Sequence, residues 1–331
     1  MLTSRLPRSW CLPFLLIASA CNASANDVGQ WYLQLDNDII FGDDGDFTNG
    51  INLGYKHSLL SVDIKSPTWF EWQKQLLLPQ AQYEHTWAIG LSQRMWTPNE
   101  IEHSTPQPFD RPYAGTLMAE FHSALYTSDL AQKNWISLGI IGPESGNEAL
   151  QNWVHKVTGS SPPKGWQYQI ERQFIAQYAY EIESLLYRNK SFATSEWELS
   201  GFSHNEIGNL RSEMQAGLSL RWGFDLASSF GNLSNHYSDA GLLNTAGSMS
   251  QFMLFSRVFI GYRFNDLTIS GNLPYTSEID IAHQQAGVSV GAIWDNPAWS
   301  VSWTFNGYSK EYTDDNSAWH GCGSLLFSWK L

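Results

Sequence analysis

A glutamine and a histidine spaced one helical turn apart are the first residues of this sequence that could act together chemically. They are Gln151 and His155, within the segment GPESGNEALQNWVHKVTG (142–159). Positions i and i+4 lie side by side on a helix, so an imidazole base and an amide donor can be presented together. Hydrolysis of an acyl bond requires a general base and a group that stabilises the developing oxyanion. A surface histidine on a packed loop helix is the competing interpretation, and spacing alone does not decide between them.

The segment around this pair has the boundaries of a short helix. Ser145 and Glu148 have the spacing of a capping box, and Gly159 is a stop signal, so the sequence predicts a helix near 146–158. Four apolar residues share one face at 100° per residue: Leu150, Trp153, Val154 and Val157. We therefore expect the helix to dock by this apolar stripe and to hold the Gln–His pair at the seam.

A second candidate region, WYLQLDNDIIF (31–41), places polar residues in a predicted strand. Asn37 interrupts an apolar track, Asp38 follows on the opposite track, and Thr48 opens the next strand after the turn GDDGD. An amide facing lipid is costly near the bilayer midplane, so we expect Asn37 near a rim. Asn37, Asp38 and loop carbonyls offer the hard oxygen ligands that Ca²⁺ prefers. The alternative is a plain hairpin closed by Asp44-Gly45, with its acids solvated.

A third candidate region is FDRPYAG (109–115), which joins a proline-containing loop to a strand. Arg111 could hold a substrate phosphate or carboxylate, and Tyr113 beside it is a second candidate for substrate binding. A structural pairing between Asp110 and Arg111 is equally compatible with this sequence.

Composition limits what these residues can belong to. The chain has 331 residues, 15% of them charged, a net charge of −13, 16 Trp, 14 Tyr and 17 Phe. Such aromatic content excludes a disordered chain, and the acidity argues against a nucleic-acid partner.

The N-terminus has the features of an export signal. Arg5 and Arg8 precede an apolar run, and Ala23-Ser24-Ala25 is a small-residue cleavage site, so we predict a cleaved signal peptide over 1–25. The rest, 26–331, is then a single domain. A lipoprotein cysteine at Cys21 is the alternative. No later stretch has the 18 or so apolar residues of a membrane helix, so the mature protein is either soluble or spans a membrane as strands.

Alternation with a period of two predicts an all-β chain. In AWSVSWTFNGY (298–308), Trp299, Val301, Trp303 and Phe305 alternate with small polar residues, and the last residues of the chain repeat the pattern. Similar segments recur at about 29–41, 49–61, 84–95, 114–127, 133–142, 168–182, 193–204 and 211–223. The predicted turn Asp295-Asn296-Pro297 joins AGVSVGAIW to AWSVSWTFNGY, and Asn265-Asp266 is predicted to join MLFSRVFIGYRF to a further strand, LTISGNLPY. About a dozen strands result.

A soluble β-sandwich would show the same alternation. The signal peptide, the aromatics at strand ends and a final strand that reaches the last residue favour an up-and-down antiparallel β-barrel of the bacterial outer membrane.

Taken together, these stretches resemble the outer-membrane lipid A 3′-O-deacylase family. The matching pieces are NDIIFGDDGDFTNG (37–50), RMWTP (94–98), DRPYAG (110–115), LGIIGPESGNEALQNWVHKVTG (138–159) and PKGWQYQIE (163–171). The resemblance implies a twelve-stranded barrel that removes the 3′-linked acyl chain from lipid A of lipopolysaccharide in the outer leaflet, with Ca²⁺ as cofactor. A Lys-Arg pair that characterised members carry after the TP segment is absent, which leaves the substrate preference open.

The resemblance also implies roles for individual residues. His155 is the expected general base acting on a water molecule. Asn37, Asp38, Thr48 and Gln151 fall on active-site positions, with Asp38 and Asn37 as the expected metal ligands. We expect the protein to act as a monomer.

Two other functions remain open at this point. A phospholipase-type esterase would need a serine beside a histidine, but adjacent strand residues such as Ser203-His204 point to opposite faces. GVSVG (287–291) lies inside a predicted strand rather than on a strand-to-helix turn. A passive channel usually needs charged residues along its lumen, and the low charge content argues against a wide one.

Overall fold

Twelve antiparallel strands close into one barrel in the computed structural model, which describes residues 27–37, 46–59, 84–236 and 251–331. Each strand pairs with its neighbours in sequence, and the first pairs with the last. The predicted fold class is therefore confirmed. The strands are β1 (Asp27–Asn37), β2 (Asp46–Leu59), β3 (Glu84–Thr97), β4 (Ala114–Tyr126), β5 (Leu130–Ile141), β6 (Gln173–Lys190), β7 (Glu196–Gly208), β8 (Arg211–Gly223), β9 (Gln251–Asp266), β10 (Gln284–Asp295), β11 (Trp299–Ser309) and β12 (Trp319–Lys330).

Helices occur only in the connections of the described chain. These are α1 (Asn147–Thr158) and the single turn α2 (Leu267–Ser270), with short 3-10 helices at Pro143–Ser145, Trp166–Tyr168 and Leu226–Ser229. In the described ranges, no helix combines the length and the hydropathy that a membrane-crossing helix needs. The predicted signal peptide falls in 1–26, outside the described residues.

The polarity of the barrel is the reverse of that in a soluble protein. In β1, Gln30, Gln34 and Asp36 point into the lumen and are buried, while Leu35 is 42% exposed on the outside. The outer positions of the other strands are likewise apolar, as at Leu218 and Ile260. An apolar outer face with a polar interior is the arrangement that a bilayer requires of a barrel.

The two ends of the barrel are distinguished by their connections. At the helix end, β1 finishes and the connections 98–113, 142–172, 267–283 and 310–318 lie; at the terminal end, β1 begins and β12 finishes. Exposed aromatic side chains cluster near both ends, as girdles do at membrane interfaces. They are Phe174, Tyr262 and Phe264 at the helix end, and Trp222, Trp294 and Trp329 at the terminal end.

One predicted hairpin is wrong. The segment LTISGNLPY was expected to form the strand after Asn265-Asp266, but it begins with α2, and β9 pairs instead with β10, which starts at Gln284. The Asp266 carboxylate accepts a hydrogen bond from the backbone N–H of Thr268 at 3.0 Å, as an N-cap does. Ile269 is then buried against Ile279 and Tyr312, which keeps the turn of helix at the barrel mouth.

Ion pairs fill the lumen below the helix end. We call this group the helix-end network, and its members are Arg111, Arg211, Glu213, Arg263, Asp266 and Glu311. Glu311 accepts from Arg111 and Arg263, each at 2.8 Å. Burial opposes ionisation of Glu311, but the guanidinium groups of Arg263, Arg111 and Arg211 outweigh that effect and hold the pKa of its carboxyl far below its usual range. The network therefore fixes two helix-end connections to the strands.

A segment from the terminal end turns into the lumen. Leu226, Phe230 and Leu233 are buried there, and Leu226 and Leu233 pack on Met253, Phe255 and Ile293 of the wall. In this inward segment, described over 224–236, His236 is buried within a second group of charged residues that we call the central network. Its members are Glu120, Lys133, Glu181, Glu183, His204, Glu206, His236 and Arg257.

Candidate active site

The helix α1 docks on the barrel by its polar face. Its buried residues are Asn147, Gln151 and His155, whereas Trp153 and Val157 are 63% and 68% exposed. The expectation that the apolar stripe would be the docking face therefore holds only for Leu150, which packs on the buried cluster around Trp166, and is wrong for the exposed Trp153 and Val157. The buried amide and imidazole groups find their hydrogen-bond partners in the protein, as buried polar groups generally do. We call the buried face, together with Trp166, the α1 seam.

Glycines define both ends of this helix. Gly146 precedes it in the left-handed conformation with φ 75°, and no side chain caps the first turn. The predicted capping box is wrong, because Ser145 Oγ donates to the Gly142 carbonyl at 2.6 Å instead. Gly159, with φ 76°, ends the helix as predicted, and its N–H donates to the His155 carbonyl at 2.9 Å.

Strands β3 and β4 hold the start of the helix. Asn147 Nδ2 donates to the Thr116 carbonyl of β4 at 3.2 Å, and Gln93 Nε2 of β3 donates to the Ser145 carbonyl at 2.8 Å. Gly115 makes this approach possible, because a Cβ at that position would lie 2.6 Å from the Asn147 side chain. The glycine of the DRPYAG stretch thus serves helix docking.

The His155 ring is held in a defined orientation. It is 7% exposed, and its Nδ1 lies 2.5 Å from the Ser161 carbonyl oxygen. A carbonyl oxygen only accepts hydrogen bonds, so Nδ1 carries the proton in the neutral ring. The basic lone pair is then on Nε2, as a general base requires.

Gln151 is oriented by an indole. The Trp166 Nε1–H donates to Gln151 Oε1 at 2.7 Å, and both side chains are almost fully buried. The Gln151 Nε2 amide is also buried and has no hydrogen-bond partner among the described residues. Trp166 is positioned in turn by the Tyr113 ring, with centroids 4.9 Å apart. The seam therefore contains an oriented amide whose donor group is available.

The candidate residues on the barrel wall lie at the same end. Asn37, the last residue of β1, donates from Nδ2 to the Thr48 carbonyl of β2 at 3.2 Å. Thr48 lies where the β2–β3 register shifts between Phe47 and Asn49, a bulge of the kind that re-aims side chains near active sites. Its hydroxyl is hydrogen-bonded to that of Thr97 at 2.7 Å. Asp38 lies outside the described residues, and the close approach of His155 to this pair stays a prediction.

The wall residues match calcium in ligand type. The Asn37 side-chain oxygen, the Thr48 carbonyl and the threonine hydroxyls are neutral oxygens of the class that Ca²⁺ binds. The carboxylate of the predicted set is that of Asp38.

Arg111 and Tyr113 have structural contacts. The fully buried Arg111 guanidinium pairs with Glu311 at 2.8 Å and donates to the Thr268 hydroxyl at 3.3 Å, and the Arg111 backbone N–H donates to Asp110 Oδ1 at 2.7 Å. The Tyr113 hydroxyl donates to the Ile101 carbonyl at 2.9 Å. Substrate binding by either residue stays a prediction, and a lipid phosphate would compete with Glu311 for Arg111.

Comparison with known proteins now identifies the family. The model of the family described as outer membrane protein LpxR matches residues 10–331. The chain belongs to this family. It is therefore a protein of the bacterial outer membrane, and the family's lipid A deacylase activity supports a hydrolase role. No curated protein sequence matches the chain significantly.

Solved structures agree on the fold. LpxR from Salmonella typhimurium superimposes with a TM-score of 0.76 at 17% identity, over 91% of this chain and 99% of that chain. The β domain of the Bordetella autotransporter BrkA matches with a TM-score of 0.40 at 8% identity, over 92% of this chain and 98% of that one. The translocator domain of NalP from Neisseria meningitidis gives 0.38 at 9% identity, over 94% and 90%. The LpxR likeness establishes the barrel; the other two are too weak to carry an argument.

Three contacts of the candidate site are not evident from the sequence. The Ser161 carbonyl orients His155, the Trp166 indole orients Gln151, and the Thr97 hydroxyl contacts Thr48. A signal existed for Trp166 and Thr97, because both lie in stretches that carry the family resemblance, PKGWQYQIE and RMWTP. A backbone carbonyl such as that of Ser161 leaves no trace in residue type.

Proposed function

We propose that this chain hydrolyses the ester that links the 3′ acyl chain to lipid A, with His155 as the general base. The observation that carries the proposal is the buried polar face of α1, where an oriented imidazole and an oriented amide lie one turn apart. Membership of the LpxR family supports the substrate class.

His155 would act through Nε2. With Nδ1–H directed at the Ser161 carbonyl, Nε2 accepts a proton from a water molecule as the water oxygen attacks the ester carbonyl carbon. When the tetrahedral intermediate collapses, the same proton passes to the departing sugar oxygen. The products are a free fatty acid and a hydroxyl on the sugar, with no other reactant consumed.

Gln151 would stabilise the oxyanion. Its carbonyl oxygen is engaged by Trp166, so Nε2 is directed away from the indole and can donate to the negative charge that develops on the ester oxygen. Because the indole fixes the amide before substrate arrives, little reorganisation is needed during the reaction.

The proposed site would hold calcium. Asn37, Asp38 and Thr48 would supply oxygen ligands, and the ion, when bound, would polarise the ester carbonyl as a Lewis acid. We expect Asp38→Ala to lower activity and raised Ca²⁺ to restore part of it, because one carboxylate is removed from a site of several oxygens. Full activity in excess chelator would rule out a calcium role.

The exposed face of α1 suits a lipid substrate. Trp153 and Val157 project away from the seam, so acyl chains can contact this apolar face while the ester reaches the polar one. The substrate is then drawn from the outer leaflet by one chain acting as a monomer.

The test is mass spectrometry of lipid A from host cells whose lipid A retains its 3′ chain. Cells expressing the wild type should lose the mass of that chain, and cells expressing His155→Ala should keep it. His103→Ala is the matched control, since His103 is an exposed histidine of a helix-end loop, and it should behave as the wild type. Comparable barrel levels, judged by heat-modifiable gel migration, are required in all three.

The same cells separate the alternatives. Accumulation of lysophospholipid with unchanged lipid A would favour a phospholipase-type esterase. A serine mechanism finds little support, because Ser289 of GVSVG lies within β10 and donates to Asn306 at 2.7 Å. A passive channel is disfavoured by the ion networks and the inward segment that occupy the lumen.

A further inference from the structure

Two histidines and a glutamate converge inside the barrel, and none of them takes part in the proposed reaction. They are His204 and Glu206 of β7 and His236 of the inward segment, and their ligand atoms all lie within 4.8 Å of one another. Among the described residues, these are the three His, Cys, Asp or Glu side chains whose ligand atoms lie close enough together to bind one metal ion.

Each imidazole directs one nitrogen at the same carboxylate oxygen. His204 Nε2 lies 3.0 Å and His236 Nδ1 lies 3.6 Å from Glu206 Oε1. Two ligands bound to Zn²⁺ in tetrahedral geometry are about 3.4 Å apart, since each bond is about 2.1 Å long. Small side-chain movements would therefore allow one ion to contact all three groups.

The opposite nitrogens of both rings face other carboxylates. His204 Nδ1 lies 3.0 Å from Glu181 Oε2, and His236 Nε2 lies 3.7 Å from Glu120 Oε2. Histidines that bind metals almost always direct their second nitrogen at a carboxylate or carbonyl, which fixes the tautomer and strengthens the ligand. Both histidines of the group, His204 and His236, have a carboxylate on that side.

The charges of the central network leave room for a divalent cation. It contains four carboxylates, Glu120, Glu181, Glu183 and Glu206, together with Lys133 and Arg257; Arg211 of the helix-end network also interacts electrostatically with Glu206. The helix-end network, by contrast, contains three arginines and three carboxylates. A divalent ion would add positive charge next to the Glu206 carboxylate in this acidic group.

Contacts of the inward segment position His236 next to β7. The Ser234 hydroxyl and the Asn235 backbone N–H both donate to Glu181, at 3.0 and 2.9 Å. The His236 ring stacks on Trp135 with centroids 4.6 Å apart, and its side chain is fully buried. The carboxylate that fixes this segment is thus the one that orients His204.

We propose that His204, Glu206 and His236 form a zinc-type site that fastens the inward segment to β7. Glu206 and His236 also line a lumen cavity of about 230 Å³, which gives a fourth ligand, water, access to the ion. Two imidazoles and one carboxylate suit Zn²⁺ and related transition metals. The site is separate from the oxygen ligands proposed for Ca²⁺.

The experiment is zinc stoichiometry of the untagged, folded full chain in detergent. After equilibration with Zn²⁺ and removal of the excess, elemental analysis should find about one zinc per wild-type chain. His236→Ala and Glu206→Gln should retain none. His122→Gln, a matched control in which another buried imidazole stacked on Trp135 is replaced, should retain one.

Cobalt provides a second readout that does not depend on zinc counting. Co²⁺ bound to the wild type and to His122→Gln should give the visible absorption of four-coordinate cobalt, which His236→Ala should lack. Gel migration identifies variants that have not folded, and the wild-type stoichiometry decides the question even if one of them fails. A wild type that retains no zinc would overturn the proposal and leave protonated histidines as the balancing charge. Equal zinc in all variants would overturn it equally.

Discussion

The α1 seam and the helix-end network lie at the same end of the barrel and are both buried, yet their polar groups are paired in opposite ways. In the network, Arg111, Arg211 and Arg263 each contact a carboxylate. In the seam, Gln151 keeps a buried donor without a partner among the described residues, and His155 uses only its Nδ1 to reach a carbonyl. Groups that neutralise one another hold the fold together, whereas groups that retain hydrogen-bonding capacity can bind a substrate.

The largest effect is expected in the network. Glu311→Gln would leave three guanidinium groups facing a neutral amide, and removing one partner of a buried ion pair costs about 3–5 kcal/mol of unfolding free energy. Urea unfolding followed by gel migration should show this loss, with turnover per folded barrel unchanged. Since the pKa of Glu311 is lowered by folding, its contribution is present at neutral pH and is lost only as pH falls below the usual glutamate range.

The glutamine variant should therefore lack that acid-side dependence. Unaltered stability in Glu311→Gln would contradict a structural role for the network. A changed KM for lipid A at unaltered stability would instead favour Arg111 as a substrate contact.

A substitution in the α1 seam should lower catalytic activity more than stability. Gln151→Leu removes the proposed oxyanion donor while keeping similar volume, and loss of one such donor typically lowers kcat about 10²–10³-fold. The free energy of unfolding in urea should fall by about 1–3 kcal/mol, less than in Glu311→Gln, because the buried Trp166 indole N–H loses its acceptor. A kcat within threefold of the wild type would remove Gln151 from the mechanism.

A smaller effect is expected from the residue behind Gln151. Trp166→Phe keeps a ring against Tyr113 but removes the indole N–H, a loss of about 1 kcal/mol that corresponds to a kcat roughly fivefold lower. Adding Trp166→Phe to Gln151→Leu should lower kcat no further, because the indole acts through the amide. Additive losses in the double variant would show an independent role for Trp166.

The smallest effect is expected at an exposed pair beside the same helix. Glu144 and Arg172 are 3.6 Å apart, with side chains 49% and 58% exposed, and such pairs contribute about 0–1 kcal/mol. Glu144→Gln should leave both stability and turnover at wild-type values. A large change in either would mean that burial is not what separates the two regions.

The barrel could be predicted from the sequence because alternation is a local signal. Residues alternate between the two faces of the sheet in the strand that contains Trp299 to Phe305 and in the last strand, as predicted. The barrel closes because each strand pairs with its neighbours in sequence and the first pairs with the last. The wrong prediction of a strand at LTISGNLPY also has a local cause. The Asp266 side chain caps a turn of helix there, and residue propensity did not reveal this.

The candidate site was only partly predictable. The i, i+4 spacing of Gln151 and His155 identified the pair, but the docking face of α1 was predicted as in a soluble protein, with apolar residues inward. In the structure the polar face of α1 is buried instead, while Trp153 and Val157 are exposed. Contacts such as Trp166 to Gln151 depend on how the connection folds back, which residue spacing does not encode.

The most direct measurement of the central claim is chemical rescue of His155→Ala by imidazole. The purified, folded variant should release the 3′ acyl chain from lipid A at least about 10²-fold more slowly than the wild type, since loss of a general base costs about 10²–10⁴-fold. Added imidazole should restore part of that rate in a saturable manner, because truncation opens a space next to Ser161 that matches the missing ring, and it should not restore Gln151→Leu. A His155→Ala variant that works at the wild-type rate, or equal stimulation of both variants by imidazole, would contradict His155 as the base.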